Sequence, residues 1–562
     1  MREARAAAEL PESYRYSLAV GLDNDDSMAR RLIASPRMAV GPSDRQLATR
    51  LAPDLPLAWG ALAMENWHRA RYAAAIAAWG QAVFRISHHL EAGLWWSSTL
   101  WLISAMAWIG SSFFLILALG LRYFPRAAHD LGDLVSARTP RFARVALLSA
   151  LLLLPISLGE GPLGLALGCL GIGLLYGSSR DRVMLGVAGI LLVLGSDPML
   201  RNGGRFLLAL ESDPVARASL GVIRGGEIPR FLARLERAAA AGDDLSERVL
   251  ATRARRQGRN FEAEERFLRL VARHPEDPTA LAILGNIAFA EGRSDEALAL
   301  YDRARGKGDS VELMFSISQA YASLFRMAEG EVALLRAQEI DAPRVLEYLA
   351  MADAHFVADP PFPMLLIRDR MLDASDGGAI RAALIDPLAP GWLGESGFHA
   401  GAGLALMALF GFGMKDRYRQ AGRCSSCHRR ICIRCDSTYW SDEICSACHQ
   451  LLSRPEETDS TLRKLRIAGL RKREIRAENW GRAFSFVVPG LAGLRAGRSD
   501  LAYGSLLLFF LSCCCFHWRA GVAPDPLAVG SVGTFVWSAL SLVALTLYLA
   551  LLLTSLLQRE ES

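Results

Sequence analysis

The stretch CSSCHRRICIRCDSTYWSDEICSACH, residues 424–449, holds six cysteines in three CxxC pairs: Cys424 with Cys427, Cys432 with Cys435, and Cys445 with Cys448. A CxxC pair sets two sulfurs on one tight knuckle, and two knuckles supply the four thiolates of a tetrahedral zinc site with little added strain. The pairs are separated by four and nine residues, so the outer two are expected to meet across a short hairpin and hold one Zn2+ through Cys424, Cys427, Cys445 and Cys448. Cys432 and Cys435, joined by His428 or His449, then form a partial second site, which gives one or two ions. A catalytic zinc needs an open coordination position and a nearby base. Asp442 and Glu443 are adjacent, but nothing singles them out, so the expected zinc is structural and folds a segment too small to fold alone. A dithiol redox centre and a disulfide are the competing chemistries. Redox CxxC motifs stand alone at a helix start within a βαβ pattern, which is absent here.

This cluster resembles a bacterial zinc-ribbon or treble-clef knuckle. The eight ligands of RING or FYVE cross-brace modules are not clearly present, which argues against ubiquitin-ligase and phosphoinositide roles. After it, TLRKLRIAGLRKREIR, residues 461–476, interleaves Leu462, Leu465, Leu470 and Ile475 with Arg463, Lys464, Arg466, Arg471, Lys472, Arg473 and Arg476. A basic amphipathic helix of this kind lies on an anionic lipid surface. Nucleic acid is the competing ligand, and the adjacent apolar segments favour lipid.

The elements that position these groups are membrane segments. The chain is 52% hydrophobic with 22% charged residues, so its apolar excess is concentrated in runs separated by ordinary soluble stretches. Ala92 to Leu121 carries no charge, and about 20 such residues cross the hydrocarbon core. Val145–Gly159, Gly161–Ser179, Val183–Ser196, Ser396–Met414, Leu501–Trp518 and Pro526–Gln558 bring the expected spans to about seven. Gly161, Gly164, Gly168 and Gly171 read as helix-packing positions. Residues 483–494, AFSFVVPGLAGL, are too short for a crossing and read as an interfacial or re-entrant hairpin. The remaining cysteines lie in apolar runs: Cys169, and Cys513 to Cys515, which read as small packing residues with palmitoylation or thiol reactivity as the alternatives.

Orientation follows from Lys and Arg, which are retained on the cytoplasmic side. Arg122, Arg126, Arg138, Arg141 and Arg144 face only Asp130 and Asp133 in the first short loop, whereas the next turn holds only Glu160. Alternation puts 197–395 outside and 415–482 inside, where sixteen Lys and Arg outnumber nine Asp and Glu. The first ninety residues also fall outside, yet residues 1–20 contain no signal-peptide apolar region of about 7 to 15 residues. The true start is therefore expected upstream.

Two soluble stretches repeat at 34 residues. Leu281, Leu284, Gly285, Gly292, Ala297, Tyr301 and Ala304 fall at the spacing of a tetratricopeptide (TPR) repeat, and Gly258, Ala263, Phe267 and Pro275 precede in register. A third unit, Met314, Ile317, Tyr321, Leu334 and Ala337, runs at 33 with Gly330 where the family usually has Ala. Near the N-terminus, Trp59, Leu62, Ala63, Ala75, Trp79 and Ala82 form another, after Pro53 closing a remnant. The resemblance implies stacked antiparallel helix pairs with a groove that binds protein; the competing expectation is a solenoid that merely spaces other parts or packs on its own membrane domain. Arg253, Arg255, Arg256 and Arg259 read as an ordinary solvated face, with a charged groove as the alternative.

The expected fold is all-α, with TPR-type hairpins, about seven transmembrane helices and a small zinc-ribbon-like or treble-clef-like insert. Its segments are a TPR-like region at 1–90, a membrane domain at 92–196, a solenoid at 197–395, a span at 396–414, the zinc module at 415–453, the basic helix at 454–482 and a C-terminal membrane region at 483–562. No nucleotide loop, Ser/His/Asp order or HExxH occurs, so the expected function is non-enzymatic: a scaffold of the bacterial inner membrane binding envelope proteins. The alternative is a membrane enzyme or transport-complex subunit with a catalytic or redox thiol cluster, for which charged residues inside spans are expected. Glu160 and His399 both sit at span edges.

Overall fold

The computed structural model describes residues 12–22, 24–34, 44–135, 140–225, 228–306, 308–351, 356–390, 422–425, 427, 430–431, 444–453 and 460–557. Regular structure among them is helical except for one antiparallel hairpin, Gly422–Arg423 with Arg430–Ile431, in which Gly422 faces Ile431. The chain divides into two compact units.

The first unit takes its described residues from the segment up to Ser97, from Arg205–Asp376 and from Ala523–Thr534. Its basic element is a helix pair: Pro56–His68 with Tyr72–Arg85, Asp244–Arg256 with Asn260–Arg273, Pro278–Ala290 with Ser294–Arg305, and Val311–Ser323 with Met327–Leu349. Side-chain caps start three of the first helices, where Asp243, Asp277 and Ser310 accept from the amides of Ser246, Ala280 and Leu313. A left-handed residue ends them: Ala70, Gly258, Gly292 and Phe325 have φ of 57°, 73°, 78° and 58°. In all four turns the next residue's amide, on Arg71, Arg259, Arg293 or Arg326, bonds the carbonyl five residues back. The turn is thus one backbone solution used four times.

Within a pair, small residues bring the helices together. A Cβ on Gly285 would lie 2.4 Å from Tyr301 Cε1, and Ala263, Ala297 and Ala304 are fully buried. The last pair departs from the pattern where Met327–Leu349 kinks at Asp341 (φ −153°, ψ 88°), two residues before Pro343. Tyr14, Leu18 and Leu51 share a core with Leu281, Phe289 and Met314, so the N-terminal helices and the central repeats, read from sequence as separate segments, form one unit. Ala523–Thr534 completes it: Ala528 O accepts from Leu57 N at 2.9 Å, Ala523 O accepts from Trp95 Nε1 at 3.0 Å, and Val532 fills the space above Gly60.

The second unit takes its described residues from Ser98–Gly204, Gly377–Val522 and Phe535–Ser562. Three described helices are long and apolar enough to cross a membrane: Leu90–Asp130, Ser499–His517 and Ser531–Leu556. The first, at 41 residues, is about 60 Å long, roughly twice the hydrocarbon thickness. Of the other expected spans, Arg141–Ser157 and Gly161–Tyr176 are helices of 17 and 16 residues, closed off by a turn with Gly159 and Gly161 at positive φ. Val183–Ser196 is helical throughout but irregular: it runs from Ser179–Ile190 through a π-helical turn, Leu191–Gly195, into Ser196–Ser212, where Asp197 and Arg201 end the apolar run. Ser396–Met414 lies outside the described residues. Gly164 and Gly168 do pack closely, against Pro155 and Leu152, and Gly161 against Leu388, but a side chain at Gly171 would meet open space.

The basic helix runs five residues past its expected end at 482. One helix, Ser460–Val487, carries residues 461–476 and continues into the run read as a hairpin; the chain breaks at Pro489 and Gly490. Gly490 (φ 77°) approaches Ala502 O so closely that a Cβ would lie 2.9 Å from it. The short helix Leu491–Arg495 then leads to Ser499–His517.

Candidate metal centre and repeat face

The two outer CxxC pairs reach one point from two kinds of element. Cys424 directly follows the first hairpin strand and Cys427 lies in the turn, whereas Cys445 directly precedes the helix Ser446–Ser453 and Cys448 sits in its first turn. Their four sulfurs all lie within 4.8 Å of one another. The Cys427–Cys445 separation is 3.7 Å, and four sulfurs at the Zn–S distance of a tetrahedral site are about 3.8 Å apart. Cys424, Cys445 and Cys448 are buried around Ile431, and Cys424 Sγ accepts from Cys445 N at 3.3 Å. None is in a disulfide. Burial pushes the Cys445 thiol up, and this group of four cysteines could hold a metal ion. His449, one residue on, is not a member of the group. Cys432, Cys435 and His428 lie outside the described residues.

A second set of metal-type ligands gave no signal in the sequence. Asp26, His89 and Glu91 bring their ligand atoms within 4.8 Å of one another. His89 Nδ1 accepts from Ala92 N, which leaves its Nε2 to donate to Asp26 at 2.9 Å. Arg224 reaches both carboxylates, at 2.9 Å from Asp26, and Arg30 reaches Glu91 at 3.2 Å. Burial alone would raise the Asp26 carboxyl, but Arg224 and His89 together hold it below the usual range. The group could chelate an ion; its two guanidiniums already balance its two carboxylates.

The arginines read as a solvated face divide. Arg259 is exposed and pairs with Glu262, but Arg256 turns inward to the carbonyls of Val20, Gly21 and Ile223. Arg255, 14% exposed, reaches Asp359 at 3.0 and 3.3 Å. Asn286, from the first helix of the next pair, donates to Asp359 Oδ1 at 2.7 Å and to Ala358 O at 3.0 Å, and its own oxygen accepts from Tyr301 at 2.7 Å. Ser316, one pair further on, exchanges two bonds of 3.3 Å with the backbone of Ala358. First helices of three successive pairs thus present Arg255, Asn286 and Ser316 to one irregular segment of the same chain.

The comparison with known families agrees with this geometry over a limited stretch. A tetratricopeptide repeat family model matches residues 248–312. The match takes in most of the pair that contributes Arg255 and all of the pair that contributes Asn286, and such a repeat region offers a protein-binding groove. No curated protein matches the chain.

Proposed function

We propose that the protein is a membrane-anchored protein–protein interaction scaffold of the bacterial inner membrane. Its repeats face the periplasm and bind envelope proteins, and it performs no turnover of its own. The observation that carries this reading is the union, in one chain, of a tetratricopeptide repeat region with three helices long enough to span a bilayer. Sidedness is argued from chain path and charge. Ala523–Thr534 joins the last two long apolar helices and belongs to the same compact unit as the repeats. If Ser499–His517 crosses once, residues 460–498 lie across the membrane from that unit, on the side that the excess of Lys and Arg in 415–482 assigns to the cytoplasm.

On that side, a structural Zn2+ is held by Cys424, Cys427, Cys445 and Cys448, with Cys432, Cys435 and His428 or His449 available to a second ion. The zinc module positions the basic stretch 461–476 on anionic lipid, with lipid favoured over nucleic acid. Trp480 stacks on Phe484 at 5.9 Å, an aromatic pair of the sort that settles at a headgroup boundary. Crosslinking followed by purification from native membranes tests the reading. Recovery of a stoichiometric envelope partner is expected; turnover of a lipid or solute by the purified chain would overturn it.

A further inference from the structure

The segment that Arg255, Asn286 and Ser316 hold is short and chemically specific. Phe356–Asp359 reads FVAD and runs into Pro360 and Pro361, which bias the preceding residues to extended backbone. Val357, Ala358 and Asp359 are 5%, 2% and 7% exposed. The helix face recognises three things: the Asp359 carboxylate through a guanidinium and a side-chain amide, the Ala358 backbone through Ser316 and Asn286, and small apolar bulk through the shared core with Phe315 and Ala282. Charge-assisted bonds to a carboxylate with concurrent backbone bonds are how a surface reads an extended peptide. Gly21, at φ 61°, closes the segment from the other side, where a Cβ would lie 2.9 Å from both Cβ and O of Asp359.

We propose that Phe356–Asp359 is a ligand of the repeats carried in cis. It keeps their recognition face filled, and the partner that replaces it is an extended peptide with one carboxylate preceded by small apolar residues. This rests on the protein-binding role proposed for the repeats. A tethered segment acts at an effective concentration on the order of millimolar, so a free peptide of equal intrinsic affinity does not compete until the segment is loosened.

The test uses the full chain in detergent and a fluorescein-labelled peptide of residues 356–363, followed by anisotropy. Asp359→Ala, which removes the tethered carboxylate but leaves its receptors, is expected to bind the peptide at least tenfold more tightly than the natural chain. A peptide with Asn in place of the Asp should lose at least tenfold, and adding Arg255→Ala to Asp359→Ala should remove the gain. Gly21→Ala provides an independent route, since it pushes the segment from behind and alters none of Arg255, Asn286 or Ser316. Equal peptide binding by the natural chain and by both variants, each with unchanged circular dichroism, would overturn the proposal. Crosslinking the natural chain and Asp359→Ala in membranes separates the two readings. More partner on Asp359→Ala supports both, and equal capture by the two chains retains the scaffold and overturns the cis ligand. Peptide gain with no partner on either chain retains the cis ligand and removes the scaffold.

Discussion

Asp26 is a carboxylate with 2% of its surface exposed, held by Arg224, His89 and, at 3.9 Å, Arg30. Removing a partner from such a group leaves charge without compensation in a poor solvent, which costs about 3 kcal/mol or more. Arg224→Ala is therefore expected to lower stability by about that amount in thermal or denaturant unfolding. Because the folded carboxyl is held below its unfolded value of about 3.9, its contribution is complete above that pH and is lost as pH falls through the lower folded-state value. The acid limb of the stability profile should flatten in Arg224→Ala; an identical limb in both chains would refute the assignment. At the sulfur cluster, Cys448→Ser should remove at least one equivalent of zinc from the purified full chain, read by elemental analysis, and full retention would exclude the outer pairs as the main site. The two clusters differ in how far a sequence reveals them. The CxxC spacing encodes its own knuckles, so the meeting of the outer pairs was legible from local geometry. The Asp26 cluster joins residues 63 and 133 apart in the chain, none in a motif, and only the packing of N-terminal helices on the rest of the unit brings them together.

At the scale of elements, the repeated turn between paired helices makes the sharpest demand on residue type. Gly258 and Gly292 meet its left-handed conformation without a Cβ penalty, whereas Phe325 adopts the same conformation with its ring 86% exposed. A non-glycine residue there costs roughly 1 kcal/mol, and the exposed ring recovers little of it by burial. Phe325→Gly should therefore stabilise the unit by about 1 kcal/mol; unchanged or reduced stability would mean that the ring is held by contacts made elsewhere. Glycine spacing marked two of these turns in the sequence, and the other two, at Ala70 and Phe325, were visible only through the apolar pattern of the flanking helices. Length was the legible property of the three longest apolar helices. Element bounds were less legible: an uninterrupted apolar run does not reveal the π-helical turn Leu191–Gly195, and a change from basic to apolar composition does not end Ser460–Val487 at residue 482 when no residue forbids the next turn.

For the molecule as a whole, alkaline phosphatase fused after residue 300 is expected to be active and the same reporter after residue 450 inactive. The reverse pattern would place the repeats in the cytoplasm and end the proposed arrangement. The sequence carried the charge asymmetry behind this expectation but gave no sign that Ala523–Thr534 belongs with residues more than four hundred positions earlier, as the bond from Trp95 to Ala523 shows. That belonging sets an order of events during synthesis. Leu57 and Gly60 leave the ribosome early, whereas Ala528 and Val532, which cover them, follow only after Ser499–His517 has been made. Until then the N-terminal helix pair carries a notch at Leu57 and Gly60 that Ala528 and Val532 have yet to fill. Closure of that notch therefore waits on the penultimate long apolar helix, and the pair Pro56–His68 with Tyr72–Arg85 is completed only by residues made more than four hundred positions later.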